Sequence, residues 1–60
     1  MFIELTDYNV DIKFLLNTHS IQQVLKNGEQ GCLIYIQNDN AGPYCVTEPY
    51  EYFRNILLSR

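Results

Sequence analysis

The last third of the chain reads Cys32-Leu33-Ile34-Tyr35-Ile36-Gln37-Asn38-Asp39-Asn40-Ala41-Gly42-Pro43-Tyr44-Cys45-Val46-Thr47-Glu48-Pro49-Tyr50. Residues 32–37 are rich in Ile, Leu and Tyr and are apolar on both faces, a pattern typical of a central strand. The loop 38–42 follows, and Pro43 then opens a second strand, 44–46, where its missing N–H does least harm. Thr47 is a favourable N-cap, so the pattern predicts a strand, a loop, a second strand and a capped helix.

The predicted C-terminal helix carries an apolar stripe. Its members recur every three or four positions, which places them on one face of a helix: Tyr50, Phe53, Ile56 and Leu57. Glu48 and Glu51 fall in the first turn, where the helix dipole favours acids, and Arg60 complements the last turn. We therefore expect a helix that runs to the end of the chain and packs on one face of a sheet.

The N-terminal third predicts a β-hairpin. Ile3 and Leu5 alternate with Phe2, Glu4 and Thr6, and this period of two is typical of half-buried strands. Ile12, Phe14 and Leu16 alternate in the same way with Asp11, Lys13 and Leu15, although Leu15 interrupts the polar face. The residues between them, Asp7-Tyr8-Asn9, have turn chemistry.

The segment from Ser20 to Lys26 fits two structures. Ile21, Val24 and Leu25 have helical spacing, and Ser20 with Gln23 resembles a capping box. We favour a strand, because a helix of seven residues is marginal in isolation. The turn signal Asn27-Gly28 also suits a hairpin into the strand that follows.

The length of 60 residues allows one small domain. With 47% hydrophobic and 13% aromatic residues the chain can form a core, although a domain of this size has a thin margin of stability. The predicted fold is α+β: a small, twisted antiparallel sheet of four or five strands with one C-terminal helix packed on one face.

The charge of the chain disfavours two classes of partner. Four Lys and Arg residues are outnumbered by seven Asp and Glu, giving a net charge of −3. The cations are scattered, so we expect neither nucleic-acid binding nor attraction to an anionic membrane. The chain shows no secretory signal pattern and no apolar run of the ~20 residues that span a bilayer, so we expect a cytoplasmic protein.

A set of short motifs spread over nearly the whole chain resembles the small FlbD (SwrD) family: Leu5-Thr6, Asn9, Leu16-Asn17, Ile21, Val24, Tyr44, Val46, Glu48 and Tyr50-Glu51. These are bacterial proteins associated with flagellar gene clusters, together with uncharacterised relatives. The resemblance implies a small accessory or regulatory protein that acts through contacts, and it transfers no catalytic residues.

The residue types that carry chemistry are few. His19 is the single histidine, and with Cys32 and Cys45 it makes three unpaired candidates where structural zinc needs four ligands. Cys32 and Cys45 flank the loop 38–42; we expect two small buried hydrophobes, with a cross-strand disulfide as the alternative. We expect no enzyme, no metal and no cofactor.

The aromatic and aliphatic residues point to an interaction surface. One helix covers one face of a sheet, so the opposite face should expose apolar side chains, and exposed apolar patches usually mark association surfaces. The predicted interface residues are Phe2, Leu15, Leu33, Tyr35 and Tyr52. The alternative is a curled sheet that buries both of its faces.

We therefore expect an interaction module that forms a homodimer or docks to a larger protein. A regulatory factor that contacts nucleic acid within an oligomer is the alternative.

Overall fold

A computed structural model describes residues 1–29, 31–38 and 42–58. In chain order, these segments form β1 (Phe2–Thr6), β2 (Lys13–Asn17), a 3-10 turn (Thr18–Ser20), β3 (Ile21–Lys26), β4 (Cys32–Ile36), β5 (Tyr44–Val46) and α1 (Tyr50–Leu58). The predicted α+β fold is confirmed. So is the strand over most of Ser20–Lys26, since β3 begins at Ile21.

The five described strands form two antiparallel sheets, not the single sheet that the sequence predicted. β1 pairs with β2, and the second sheet has the order β3-β4-β5. One isolated bridge, between Asp7 and Val46, joins the two sheets. Beside it, the Tyr8 N–H donates to the Cys45 carbonyl (2.8 Å) and the Thr47 N–H donates to the Thr6 carbonyl (3.0 Å). The end of β1 is therefore tied to β5, and the strands curl around a shared interior.

The core lies between the two sheets and the helix. Its fully or almost fully buried apolar members come from β1, β4, β5 and α1: Ile3, Leu5, Cys32, Ile34, Val46 and Phe53. Half-buried residues of β2, β3 and the helix pack around them. Because each strand alternates its side chains, the opposite set of residues on every strand must point away from this core.

The connection from β2 to β3 is a tight corner. The Asn17 side chain accepts a hydrogen bond from the His19 N–H (3.0 Å). The Thr18 N–H donates to the Met1 carbonyl (2.8 Å), and the Gln37 N–H donates to the Ser20 carbonyl (2.8 Å). His19 itself is exposed, as expected for a turn residue.

The helix begins later than the sequence predicted. Thr47 lies three residues before the first helical residue, Tyr50, so it does not cap the helix. Glu51 lies in the first turn, but Glu48 lies outside the helix. The rigid φ of Pro49 and the attachment of Thr47 to β1 separate the end of β5 from the start of α1. Arg60, predicted to complement the last turn of the helix, and residues 39–41 of the predicted loop lie outside the described residues.

The apolar stripe of the helix is confirmed in part. Phe53 is buried and Tyr50 and Ile56 are half-buried, whereas Leu57 is exposed. Tyr52 was predicted to belong to an exposed interface, but it is half-buried against the core, and its hydroxyl lies 3.5 Å from the Glu4 carbonyl. The prediction was wrong because β1 lies beside the helix and covers a second flank of it.

α1 has nine residues, about half of what a membrane crossing needs. Among the described residues no helix is long and apolar enough to cross a bilayer.

The β3–β4 hairpin depends on a close approach at Gly31. The residue has φ +70°, and a Cβ added there would overlap the backbone carbonyl oxygen of Val46. Gly28, in the same hairpin turn, has a similar φ of +62° but open space around the Cβ position. A comparison of substitutions at the two glycines therefore distinguishes the effect of backbone strain from that of steric overlap.

We predict that Gly31→Ala lowers the free energy of unfolding by at least about 3 kcal/mol, because it adds an overlap with backbone to the strain of a positive φ. Gly28→Ala should lower it by only about 1–2 kcal/mol. Urea unfolding followed by circular dichroism measures both, and equal losses would contradict the steric argument.

Candidate interaction surfaces

The first surface is the side of the β1–β2 hairpin that points away from the core. The register places Phe2 opposite Asn17 and Glu4 opposite Leu15; these four residues and Lys13 are called the hairpin outer face below. Thr6 lies opposite Lys13 but is buried beneath Glu48. Phe2 is 64% exposed and Leu15 is 67% exposed. They occupy diagonal positions on neighbouring strands, within reach of each other's side chains.

The five residues of the predicted interface do not share one surface. Phe2 and Leu15 lie on the hairpin outer face, but Leu33 and Tyr35 lie on the outer face of the β3-β4-β5 sheet and are half-buried. Tyr52 packs against the core. The strands form two sheets, and the outer face of each sheet points away from the common interior. The predicted interface residues on the two outer faces are therefore separated.

Thr6 makes several of the hydrogen bonds that hold the hairpin to the rest of the molecule. Its N–H donates to Glu48 Oε1 (2.9 Å) and its hydroxyl donates to Glu48 Oε2 (3.0 Å). Its carbonyl accepts from the Thr47 N–H. Thr6 is 7% exposed, so these bonds satisfy polar groups that have left water.

The same threonine hydroxyl accepts a hydrogen bond from Lys13 Nζ (3.3 Å). Lys13, Thr6 and Glu48 therefore form a chain from a cation through a hydroxyl to a carboxylate, and such chains strengthen their own hydrogen bonds. Lys13 turns toward β1 as a result. Glu48, which the sequence analysis explained by the helix dipole, instead closes the hairpin onto the helix start.

The outward backbone edge of β2 has no partner strand among the described residues. The Thr6 backbone groups point away from β2, so Thr6 and Lys13 form a non-hydrogen-bonded pair. By the same alternation, the N–H and C=O groups of Lys13, Leu15 and Asn17 point away from β1. β2 is an open edge strand whose central side chain, Leu15, is exposed.

The second surface is an apolar basin of about 380 Å³ at the end of the core, lined by Asp7, Val10, Ile12, Phe14 and Tyr44. Val10 and Ile12 are each 60% exposed and Tyr44 is 42% exposed. The Phe14 and Tyr44 rings meet edge to face, with centroids 5.7 Å apart. The sequence did not predict this basin. The signal for it was the presence of two aliphatic residues, Val10 and Ile12, close to the turn between β1 and β2.

The turn at residues 7–12, which forms one wall of the basin, is held by four hydrogen bonds. Asp7 Oδ1 accepts from the Asn9 N–H (2.8 Å) and the Val10 N–H (3.2 Å). The Asp7 N–H donates to the Ile12 carbonyl (2.8 Å), and the Asp11 N–H donates to the Asp7 carbonyl (2.9 Å). Asp11 has φ +57°, a left-handed conformation that Asp tolerates better than most residues.

A third concavity, of about 290 Å³, lies between β3 and α1. Ile21 and Val24 line it from the strand, and Phe53, Arg54 and Leu57 line it from the helix. At the start of the helix, Lys26 Nζ lies 5.6 Å from the centroid of the Tyr50 ring, a cation–π contact.

The two cysteines are free. Cys32 pairs with Val46 and Leu33 pairs with Cys45, so the two thiols project from opposite faces of the sheet and the cross-strand disulfide is excluded. Cys32 is buried, as expected, whereas Cys45 is half-buried and accepts from Asn27 Nδ2 (3.3 Å). Burial raises the pKa of the Cys32 thiol, the Glu48 carboxylate raises it further, and Lys26 opposes them.

Within residues 1–29, 31–38 and 42–58, no group of three or more His, Cys, Asp and Glu side chains is arranged to hold a metal ion. A comparison with protein-family models finds no match, and comparisons with curated proteins and with solved structures find no similar protein. The resemblance to the FlbD (SwrD) family therefore stays a prediction.

We predict that Glu48→Ala lowers the free energy of unfolding by about 2–3 kcal/mol, because it leaves the buried Thr6 donors without an acceptor. Glu51→Ala is the matched control, since it removes an exposed carboxylate from the same region and should cost less than about 1 kcal/mol. Chemical denaturation of both variants measures the difference. Equal costs would mean that Glu48 acts only through its charge near the helix.

We also predict a change of stability with alkaline pH. An unfolded Cys32 thiol loses its proton near the ordinary pKa of 9.0, whereas the folded protein keeps that proton to higher pH. The unfolded state then binds fewer protons, so the stability falls as pH rises above about 9. Cys45→Ala, which leaves Cys32 as the single thiol, should show a steeper fall than the Cys32→Ala/Cys45→Ala double variant; parallel curves would contradict the shift.

Proposed function

We propose that this protein is a non-enzymatic interaction module that self-associates through the hairpin outer face and the open edge of β2. The observation that carries the proposal is the pair Phe2 and Leu15, each about two-thirds exposed. Leu15 lies on β2, whose outer edge meets no other strand in the described part of the chain. Large exposed hydrophobic residues at such an edge favour pairing with another chain. The resemblance to FlbD (SwrD) proteins supports a bacterial, cytoplasmic accessory role of this kind.

The edge of β2 suits a second copy of itself. In an antiparallel pair centred on Leu15, the two Leu15 side chains lie opposite each other and Lys13 lies opposite Asn17 of the second copy. No two like charges meet in this register, and like charges directly opposite would oppose pairing. The hydrogen bond from Lys13 to Thr6 also holds the ammonium group back over its own hairpin.

Such a dimer would continue the two-stranded sheet into four strands. A two-stranded hairpin is marginal by itself, and added strands stabilise it. A stable interface buries about 800 Å² per partner, a substantial part of the 4456 Å² that the chain exposes. Small domains often use a second copy of themselves to complete a core.

The absence of enzymatic activity is part of the proposal. Cys32 is fully buried and His19 is exposed on the 3-10 turn, so this pair does not support a thiol nucleophile activated by a base. For the alternative function, contact with nucleic acid, the described cations offer little support. Lys13, Lys26 and Arg54 lie on three different elements, and two of them are engaged within the chain.

We predict that the wild-type protein forms a dimer whose fraction rises with concentration in sedimentation analysis. Leu15→Lys should weaken the dimer at least about tenfold, because it places a charge in the centre of the paired edge. Leu58→Lys is the matched control: Leu58 is exposed to almost the same degree, 66%, and the same charge is added on the helix instead.

A wild-type protein that stays monomeric at every concentration would overturn the proposal, as would equal weakening by the two variants. The salt dependence distinguishes dimerisation from the alternative function, contact with nucleic acid. Dimerisation through apolar contacts should change little with salt, whereas nucleic-acid binding should weaken steeply as salt rises.

A further inference from the structure

We infer that the basin lined by Val10, Ile12, Phe14 and Tyr44 is a second binding site, for an extended, proline-rich peptide that carries a basic residue. The inference does not depend on dimerisation, because the basin is lined by Phe14 on one face of β2, and the proposed dimer uses Leu15 on the other face. The shape of the basin, the chemistry of its wall and its charge favour this ligand.

The shape and the walls fit a short segment of peptide. A volume of about 380 Å³ is near the lower limit for ligand pockets. The wall consists of two aliphatic side chains and an edge-to-face pair of aromatic rings. Aromatic-lined grooves of this type bind polyproline II segments, which are already extended before they bind and so lose little conformational entropy.

The backbone on the β5 side of the basin disfavours binding by strand addition. The β5 edge that faces the turn is already occupied, because the Tyr8 N–H donates to the Cys45 carbonyl and Asp7 bridges to Val46. A ligand that lies along β5 must therefore be recognised by side chains. A polyproline II segment meets this condition, since its own backbone needs no hydrogen-bonding partner strand.

Charge selects a basic ligand. Asp7 lines the basin, and the exposed Asp11 lies in the chain between two of its lining residues. None of the described lining residues is Lys or Arg. The nearest cation along the chain, Lys13, is hydrogen-bonded to Thr6 on the other face of the hairpin. An arginine at one end of the peptide would thus meet a negative rim, and the net charge of −3 attracts it from a distance.

The site is formed before the ligand arrives. Four hydrogen bonds described above hold residues 7–12 in a single turn, and Val10 and Ile12 are presented to solvent at its surface. A preorganised surface avoids the entropic cost of ordering a loop on binding.

The test uses the full chain, labelled with 15N, and the synthetic peptide Arg-Arg-Pro-Leu-Pro-Pro-Leu-Pro. Titration to about 1 mM peptide should give saturable amide shifts in residues 7–14 and 44. Two control peptides follow: one has Glu in place of both arginines, and one has Gly in place of every proline. Both should bind at least about fivefold more weakly, the first through lost charge attraction and the second through lost rigidity.

Substitutions in the chain test whether the peptide binds at the basin. Ile12→Ser should weaken binding about tenfold by removing an apolar contact, while Leu58→Ser, the control on the helix, should leave it unchanged. Asp11→Asn keeps a residue that tolerates a positive φ and should weaken binding roughly two- to fivefold; Glu51→Gln removes an equivalent charge elsewhere and should not. Leu15→Lys should bind the peptide as the wild type does, whatever its effect on dimerisation.

The inference is overturned if no shifts appear at 1 mM, or if the shifts lie at β2's outer edge or in the cleft between β3 and α1. It is also overturned if the Gly-substituted peptide binds equally well, because then no extended conformation is selected. Loss of dimerisation in Ile12→Ser would show that a second copy of the chain occupies the basin, and would contradict the peptide assignment as well.

Discussion

The hydrogen bonds between Thr6 and the segment Thr47–Glu48 fasten the N-terminal hairpin to the second sheet and the helix. Both backbone groups of Thr6 and its hydroxyl bond to two consecutive residues that lie 41 and 42 positions later in the chain. With the adjacent bridge from Asp7 to Val46, these contacts join the ends of a short chain and draw the hairpin over the second sheet. Without them, Ile3 and Leu5 would lose the opposite wall of the core. A carboxylate that accepts from a buried backbone N–H and a hydroxyl is well suited to this task, because hydrogen bonds to a charged acceptor are the stronger ones.

The attachment of the hairpin to the second sheet determines which apolar side chains stay exposed. A molecule that wraps two small sheets and a helix around six buried apolar residues has more apolar side chains than its interior can hold. Part of the excess lies on the hairpin outer face, beside the free edge of β2, and part lies in the basin at the end of the core. The first is open to backbone pairing at β2, whereas the β5 edge beside the second is already bonded to residues 7 and 8. The two surfaces therefore suit different partners, another strand in one case and a peptide that brings only side chains in the other.

Some of this could be predicted from the sequence and some could not. The alternation of Ile3 and Leu5 and the apolar run 32–36 predicted strands correctly, because period-two patterning depends on near neighbours alone. The roles of Glu48 and Tyr52 were not predictable in this way. Glu48 fitted a helix N-terminus by its position in the chain, and Tyr52 lay off the apolar stripe. In both cases the partner is β1, more than forty residues away, and no local pattern contains that information.

The sequence by itself determined the order and type of most elements, the acidic balance, and the existence of more apolar surface than one small core can bury. The tertiary structure decided where that surface lies: it divided the strands into two sheets, placed Leu33 and Tyr35 on a different side from Leu15, and brought Val10 and Ile12 beside Tyr44. The physical reason is that secondary structure follows from interactions between residues a few positions apart. Closure of β1 onto β5 depends instead on hydrogen bonds and packing between the two ends of the chain, and these contacts exist only once the whole chain has folded.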